Sequence, residues 1–101
     1  MFFVGGVLAA MDVSGTFWAD PEVVASEIEG GAALLDLRSS QYYGLNAVGA
    51  FVWSEIQTPR TLDALALAVA DAFDVEASGC RDDIALLLAQ FQSAGLIRRD
   101  A

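Results

Sequence analysis

Residues 32–53, AALLDLRSSQYYGLNAVGAFVW, change hydrophobic period part-way along, and that change constrains the fold more than any other stretch. Ala32–Leu37 and Gln41–Leu45 are short runs of strand-type composition, separated by the polar turn Arg38-Ser39-Ser40. Beyond Asn46, the apolar residues Val48, Phe51, Val52 and Ile56 recur at helical spacing, with Trp53 at the side of that stripe. Asn46 suits the N-cap of a helix over Ala47–Ile56, because its side-chain oxygen can accept from an N–H that the first turn leaves free. A hairpin that runs straight into a helix can offer the backbone of its second strand to another chain.

The flanks extend this pattern on both sides. Glu22–Ile28 is β-capable, led by Val23 and Val24, and Gly30-Gly31 turns it back towards Ala32. Three consecutive short strands joined by tight turns predict an antiparallel meander. Downstream, Pro59 interrupts the chain, and Thr61 can cap a second helix over Leu62–Phe73 whose stripe is Leu62, Leu65, Val69 and Phe73. A connector from Asp74 leads to a third helix, from about Ser78 to Ala94, with Ile84, Leu87, Leu88 and Phe91 expected to face inward. Gly95 suits the position after its end, with Leu96 making the accompanying apolar contact. The expected architecture is α+β: a three-stranded antiparallel sheet followed by three helices (β-β-β-α-α-α), packed in a winged-helix-like manner.

A chain of 101 residues holds one domain at most. The expected boundaries are an apolar N-terminal extension at residues 1–21, a domain at 22–97 and a polar tail at 98–101. Asp12–Pro21 reads as an irregular lead-in anchored by Phe17 and Trp18. The run MFFVGGVLAAM is too short to span a membrane as a helix and lacks the positive flank of a signal peptide. Two readings of it stay open. It is either an optional extension, with Met11 as the natural start, or a segment that packs on the domain or on a neighbouring copy.

Composition removes whole classes of function. Net charge is −9, with no lysine and no histidine; the cations are Arg38, Arg60, Arg81, Arg98 and Arg99. Nucleic-acid binding rests on clustered cations that neutralise phosphates, and this chain would be repelled by them. The third helix offers base edges only Arg81, Gln90 and Gln92, beside Asp82 and Asp83. Cys80, the single cysteine, excludes an internal disulfide and fits a reducing cytoplasm, and without a histidine it is a poor nucleophile. Asp82 and Asp83 are helix neighbours about 100° apart, so they read as acids near a positive helix end rather than a shared site. The carboxylates do not cluster by spacing as a metal site requires, and Gly30-Gly31 joins two strands instead of opening a phosphate-binding helix.

Binding of a protein or peptide is what remains. Gln41–Leu45 is the last strand of the meander, so one of its edges is expected to be unpaired, and no Lys or Pro blocks it. A guest segment can add there as a fourth strand, with the third helix as the opposite wall of a groove. Tyr42 and Tyr43 must point to opposite faces of the sheet.

The ordered series Leu34-Leu35-Asp36, Gln41-Tyr42-Tyr43-Gly44-Leu45-Asn46, Gly49 with Trp53, Phe73-Asp74-Val75, Asp83 and Ala94-Gly95-Leu96-Ile97 resembles the PqqD-like family, over roughly Val23–Ile97. Family members are small, non-catalytic peptide chaperones, also called RiPP recognition elements. The resemblance implies a cytoplasmic protein, without cofactor or metal, that binds the leader of a ribosomally synthesised precursor peptide. It would deliver that precursor to modifying enzymes: a leader peptidase and a macrocyclase in a lasso-peptide cluster, or a radical-SAM enzyme. It implies Gln41, Tyr42, Tyr43, Gly44 and Leu45 as the backbone edge, and Asp83, Leu86, Leu87 and Gln90 as the facing helical wall. Met1–Phe17 has no counterpart in that family, and the turn Arg38-Ser39-Ser40 lacks the glycine common there. A structural or regulatory interaction module, or a homodimer, is the alternative reading, and an acidic winged-helix protein without DNA binding the third.

Overall fold

Alternation of buried and half-buried positions along residues 31–36 places the hairpin at the centre of the fold. In the computed structural model, which describes residues 13–100, Ala32, Leu34 and Asp36 are buried and their neighbours are not. The elements in order are β1 (Thr16–Ala19), β2 (Val23–Ile28), β3 (Gly31–Asp36), β4 (Gln41–Asn46), α1 (Ala47–Glu55), β5 (Arg60–Thr61), α2 (Leu62–Phe73), α3 (Ala77–Ser93) and β6 (Ile97–Asp100). The expected meander is present as an antiparallel sheet in the order β2-β3-β4, with Ala25, Leu34 and Tyr43 in one cross-strand row. Its inner face carries Ala32, Leu34 and Leu45 into the core, while Val24 and Tyr42 stay exposed on the outer face.

A second three-stranded sheet, ordered β5-β1-β6, departs from the sequence reading. The stretch read as an irregular lead-in contains β1, and the stretch read as a polar tail is most of β6. Trp18 pairs with Arg98, and Ala19 with Ile97, in antiparallel register. β1 and β6 have only four residues each and β5 only two, too few for a period to show. The pairing closes the chain end to end, so neither half is legible without the other. It buries Phe17 completely. The expectation of an apolar extension at residues 1–12 lies outside the described residues.

The helices follow their caps. The Asn46 carboxamide oxygen accepts from Gly49 N at 2.9 Å to open α1, and Thr61 Oγ1 accepts from Ala64 N at 3.1 Å to open α2. α3 closes through Gly95 at φ 76°, where Leu96 N donates to Phe91 O at 2.9 Å and Gly95 N to Gln92 O at 3.1 Å. That pair of bonds is the glycine-terminated helix end expected there. Ile84, Leu88 and Phe91 enter the core, where Phe91 meets Trp53 edge-on with ring centroids 5.6 Å apart. Leu87, expected inward with them, is only half-buried and lines a surface groove instead.

Gly31 shows how closely the hairpin packs. A Cβ at this position would overlap the Leu45 carbonyl oxygen on the paired strand. Gly31→Ala is therefore expected to lower stability by about 1–3 kcal/mol, as overpacking does. Urea denaturation checks this, and an unchanged midpoint would mean that the strands separate freely at Gly31.

Candidate functional site

The hydrogen-bond alternation of an antiparallel ladder determines which backbone groups β4 leaves free. Leu37 N donates to Glu22 O at 2.9 Å, which makes Glu22 and Leu37 a hydrogen-bonded pair just beyond the β2–β3 ladder. Counting in twos from that pair, Gly31, Ala33 and Leu35 direct their backbone groups at β2, and Ala32, Leu34 and Asp36 direct theirs at β4. Gln41, Tyr43 and Leu45 are accordingly bonded to β3. Tyr42, Gly44 and Asn46 present their N–H groups to the open edge, and β4 pairs with β3 alone among the described residues.

Beyond the end of that edge lies an apolar groove of about 610 Å³. It starts at Asn46, the last residue of β4, and at Val48 and Gly49 in the first turn of α1. Asp83, Leu86, Leu87 and Gln90 form its α3 wall, all four being the helical residues expected from sequence. Val69, Phe73 and Val75 supply an apolar side that the sequence reading had placed in the core stripe or left in a connector. Phe73 stays 36% exposed because it packs edge-on against Phe51, 5.6 Å between centroids, at the rim rather than beneath the sheet.

The strand residues proposed from sequence take different positions. Gly44 is exposed with open space where a Cβ would lie, and Tyr42 is 73% exposed on the outer face. Gln41 is exposed at the start of the strand. Tyr43 is half-buried against the core and Leu45 is a core residue, so both support the edge from beneath. None of the five lines the groove itself. The groove meets β4 only at Asn46, which sequence reading had taken purely as a cap.

An ion-pair cluster ties the hairpin turn to neighbouring segments. Arg38, in the turn between β3 and β4, lies 3.2 Å from the buried Asp20 carboxylate through Nη1 and 3.3 Å from Asp36 Oδ1 through Nε. Its Nη2 donates to Gly95 O at 3.0 Å, at the end of α3. Arg98 Nε on β6 reaches the same Asp20 Oδ2 at 3.2 Å. One side chain thus joins the hairpin turn, the β1–β2 link and the α3–β6 turn, and so relates the β4 edge to the α3 wall. The polar turn expected at Arg38 is present; its tertiary partners were not legible in sequence.

The Arg38 backbone N–H donates to Asp36 Oδ1 at 3.0 Å and is the main cause that holds the Asp36 carboxyl below its ordinary value. The Arg38 guanidinium adds to this and burial opposes it. A carboxyl depressed on folding stabilises the fold above the unfolded-state value, and the contribution is lost as pH falls through the folded value. The stability gap between the wild type and Asp36→Asn is therefore expected to be open at neutral pH and to close below about pH 4. Thermal melts across that range check it, and a gap independent of pH would remove Asp36 from the acid response.

No group of His, Cys, Asp and Glu side chains suited to a metal ion occurs among the described residues. Cys80 lines the groove with its Sγ 3.5 Å from Ala77 O and 3.7 Å from Ala66 O, and no histidine exists in the chain to activate it. No helix among the described residues is long and apolar enough to cross a membrane.

The family model for coenzyme PQQ synthesis protein D (PqqD) matches residues 31–97, from the start of β3 to the start of β6. The chain belongs to the PqqD family. Its fold is similar to that of lasso peptide synthetase B1 complexed with the leader peptide, at 26% identity and a TM-score of 0.69, covering 81% of this chain and 96% of that one. TbiB1 in complex with the TbiA(beta) leader peptide shares the fold at 24% identity and a TM-score of 0.73, covering 83% and 98%. So does the PqqD truncation of Methylobacterium extorquens PqqCD, a stand-alone RiPP recognition element, at 17% identity and a TM-score of 0.72, covering 92% and 99%. No curated protein matches the chain. The family match leaves out β1 and β2, which in this PqqD-family chain form one strand of each sheet.

Proposed function

We propose that this chain binds the leader of a ribosomally synthesised precursor peptide, as a strand added to β4, and holds the precursor for modifying enzymes without catalysing a step itself. The observation that carries the reading is the open β4 edge that runs into the groove walled by α3. Two of the similar solved structures, TbiB1 and lasso peptide synthetase B1, are complexes with leader peptides, which supports it.

Magnitudes divide the work between edge and groove. Tyr42 and Gly44 together offer two donors and two acceptors. Four backbone bonds at roughly 0.5–1.5 kcal/mol each do little more than offset the entropy lost on association. Each apolar leader side chain fully buried in the groove adds about 1.5–3 kcal/mol. The edge therefore sets register and direction, and the groove sets affinity and choice of leader. Tyr42, Gly44 and Asn46 are assigned to the edge, Gln41, Tyr43 and Leu45 to its support, and Asp83, Leu86, Leu87 and Gln90 to the wall. By tethering the leader, the protein raises the effective concentration of the core peptide at an enzyme. A leader peptidase and macrocyclase of lasso type are the enzymes this reading favours, with a radical-SAM enzyme as the other class.

Fluorescence anisotropy with the labelled leader of the precursor peptide encoded in the same gene cluster tests the reading. Saturable binding is expected, with a scrambled leader failing to compete. A folded protein that shows no saturation would end it.

A further inference from the structure

The β2-β3-β4 sheet has a second open edge, and it too borders a groove. β2 pairs with β3 alone among the described residues. By the same alternation as above, Val24, Ser26 and Ile28 bond to β3, so Ala25 and Glu27 turn their N–H and C=O groups outward. Between β2 and α1 lies a depression of about 550 Å³, lined by Ala25, Glu27, Ala32, Ala50 and Trp53 among others. On the outer face, Val24 and Ile28 are 44% and 53% exposed. The strand carries no Lys or Pro that would block pairing.

Charge decides what can add there. Glu27 points into the groove, Glu22 and Glu29 flank the strand, and neither Glu27 nor Glu29 has an ion-pair partner among the described residues. A charge turned towards the inner face of an edge strand disfavours pairing with a neutral or acidic strand. A second copy of the chain would bring its own Glu27 to the same face of the joint sheet, and a net charge of −9 against −9. A guest with Lys or Arg opposite Glu27 meets the opposite sign, and apolar residues at its alternate positions would continue the outer row of Val24 and Ile28.

We infer that the free edge of β2 is a strand-addition site for an extended segment of a partner protein, one that alternates Lys or Arg on the groove side with apolar residues on the outer side. The site stands whatever occupies β4. With a leader on β4, both guests would belong to one five-stranded sheet, and the partner would be held across the sheet from the leader.

The probe is a labelled seven-residue peptide alternating valine with lysine, with a valine–glutamate counterpart, titrated into the full chain by anisotropy. The lysine peptide is expected to saturate and the glutamate peptide not to bind. Ala25→Pro removes an outward donor without touching the β3 ladder, leaves the charge unchanged, and is expected to weaken binding roughly tenfold. Glu27→Lys, which leaves the backbone intact, is expected to transfer the preference to the glutamate peptide. Gly44→Pro, on the other edge, is expected to leave lysine-peptide binding as in the wild type. Equal binding by wild type, Ala25→Pro and Glu27→Lys would reduce the effect to diffuse attraction by an acidic surface and overturn the inference. Loss of binding in Gly44→Pro would place the peptide on β4 and overturn it too. A molecular mass that doubles with protein concentration, and falls back in Ala25→Pro, would assign the edge to a second copy instead. Leader binding is read separately through Gly44, so failure at β2 leaves the β4 reading untouched.

Discussion

Gly44→Pro is expected to reduce leader affinity by about 100-fold while the domain stays folded, a change of about 2.7 kcal/mol. Gly44 turns its N–H to the open edge of β4, so proline there removes a donor that a guest strand would use and no bond within the sheet. A lost bond with an unsatisfied acceptor on the guest accounts for about 1–3 kcal/mol, and the ring also occupies the line along which the guest backbone would lie. A Cβ at Gly44 meets nothing within 4 Å, so the side chain itself has room. The contrast is Tyr43→Pro. Tyr43 is the direct partner of Leu34 and bonds to β3, so proline at the adjacent position cuts the central ladder and should lower the melting temperature first. Anisotropy with the labelled leader, beside thermal melts of both variants, reads the two effects apart. A folded Gly44→Pro protein that binds the leader as the wild type does would show that the leader does not add to β4.

Phe91→Ala is expected to cost about 3–5 kcal/mol of folding stability. Phe91 is fully buried, and its edge-on contact with Trp53 joins α3 to α1. Against a total of roughly 5–15 kcal/mol for a domain of this kind, that loss leaves a marginal fold. The groove should loosen with it, because α3 supplies the wall at Leu87 and Gln90 and is held to the core by the adjacent Leu88 and Phe91. Urea denaturation of Phe91→Ala gives the number. A loss below about 1 kcal/mol would mean that the core closes over the cavity and that α3 is held chiefly by other contacts.

These two residues also separate what periodicity shows from what it hides. Leu88 and Phe91 were legible as core because they recur at helical spacing, and the structure buries both. Leu87 belongs to the same stripe but lies at its margin. The positions of α1 and α2 beside it make it face the groove, and neither is encoded in the local period. Phe73 has the same history: an apolar residue at the end of the α2 stripe that the fold leaves at the rim. The edge strand was legible as a strand, yet its outward backbone groups depend on the register of β2 against β3, a tertiary fact. Sequence alone therefore pointed to Gln41–Leu45 but could not separate the outward Tyr42 and Gly44 from the inward Tyr43 and Leu45.

Local chemistry determined the order of the meander and the three helices. The turn at Gly30-Gly31, the caps Asn46 and Thr61 and the terminator Gly95 all act within a few residues, so composition alone reveals them. The second sheet, the ion-pair cluster on Asp20, the groove beside β2 and the apolar side of the α3 groove were decided only by tertiary structure. Thr16–Ala19 finds its strand partners only in distant segments, Arg60–Thr61 and Ile97–Asp100. Asp20 lies in the stretch read from sequence as an irregular lead-in, yet it is buried in the fold, where Arg38 and Arg98 converge on it from distant segments. Grooves are spaces between elements, and their shape follows from how layers pack rather than from the pattern within any one of them.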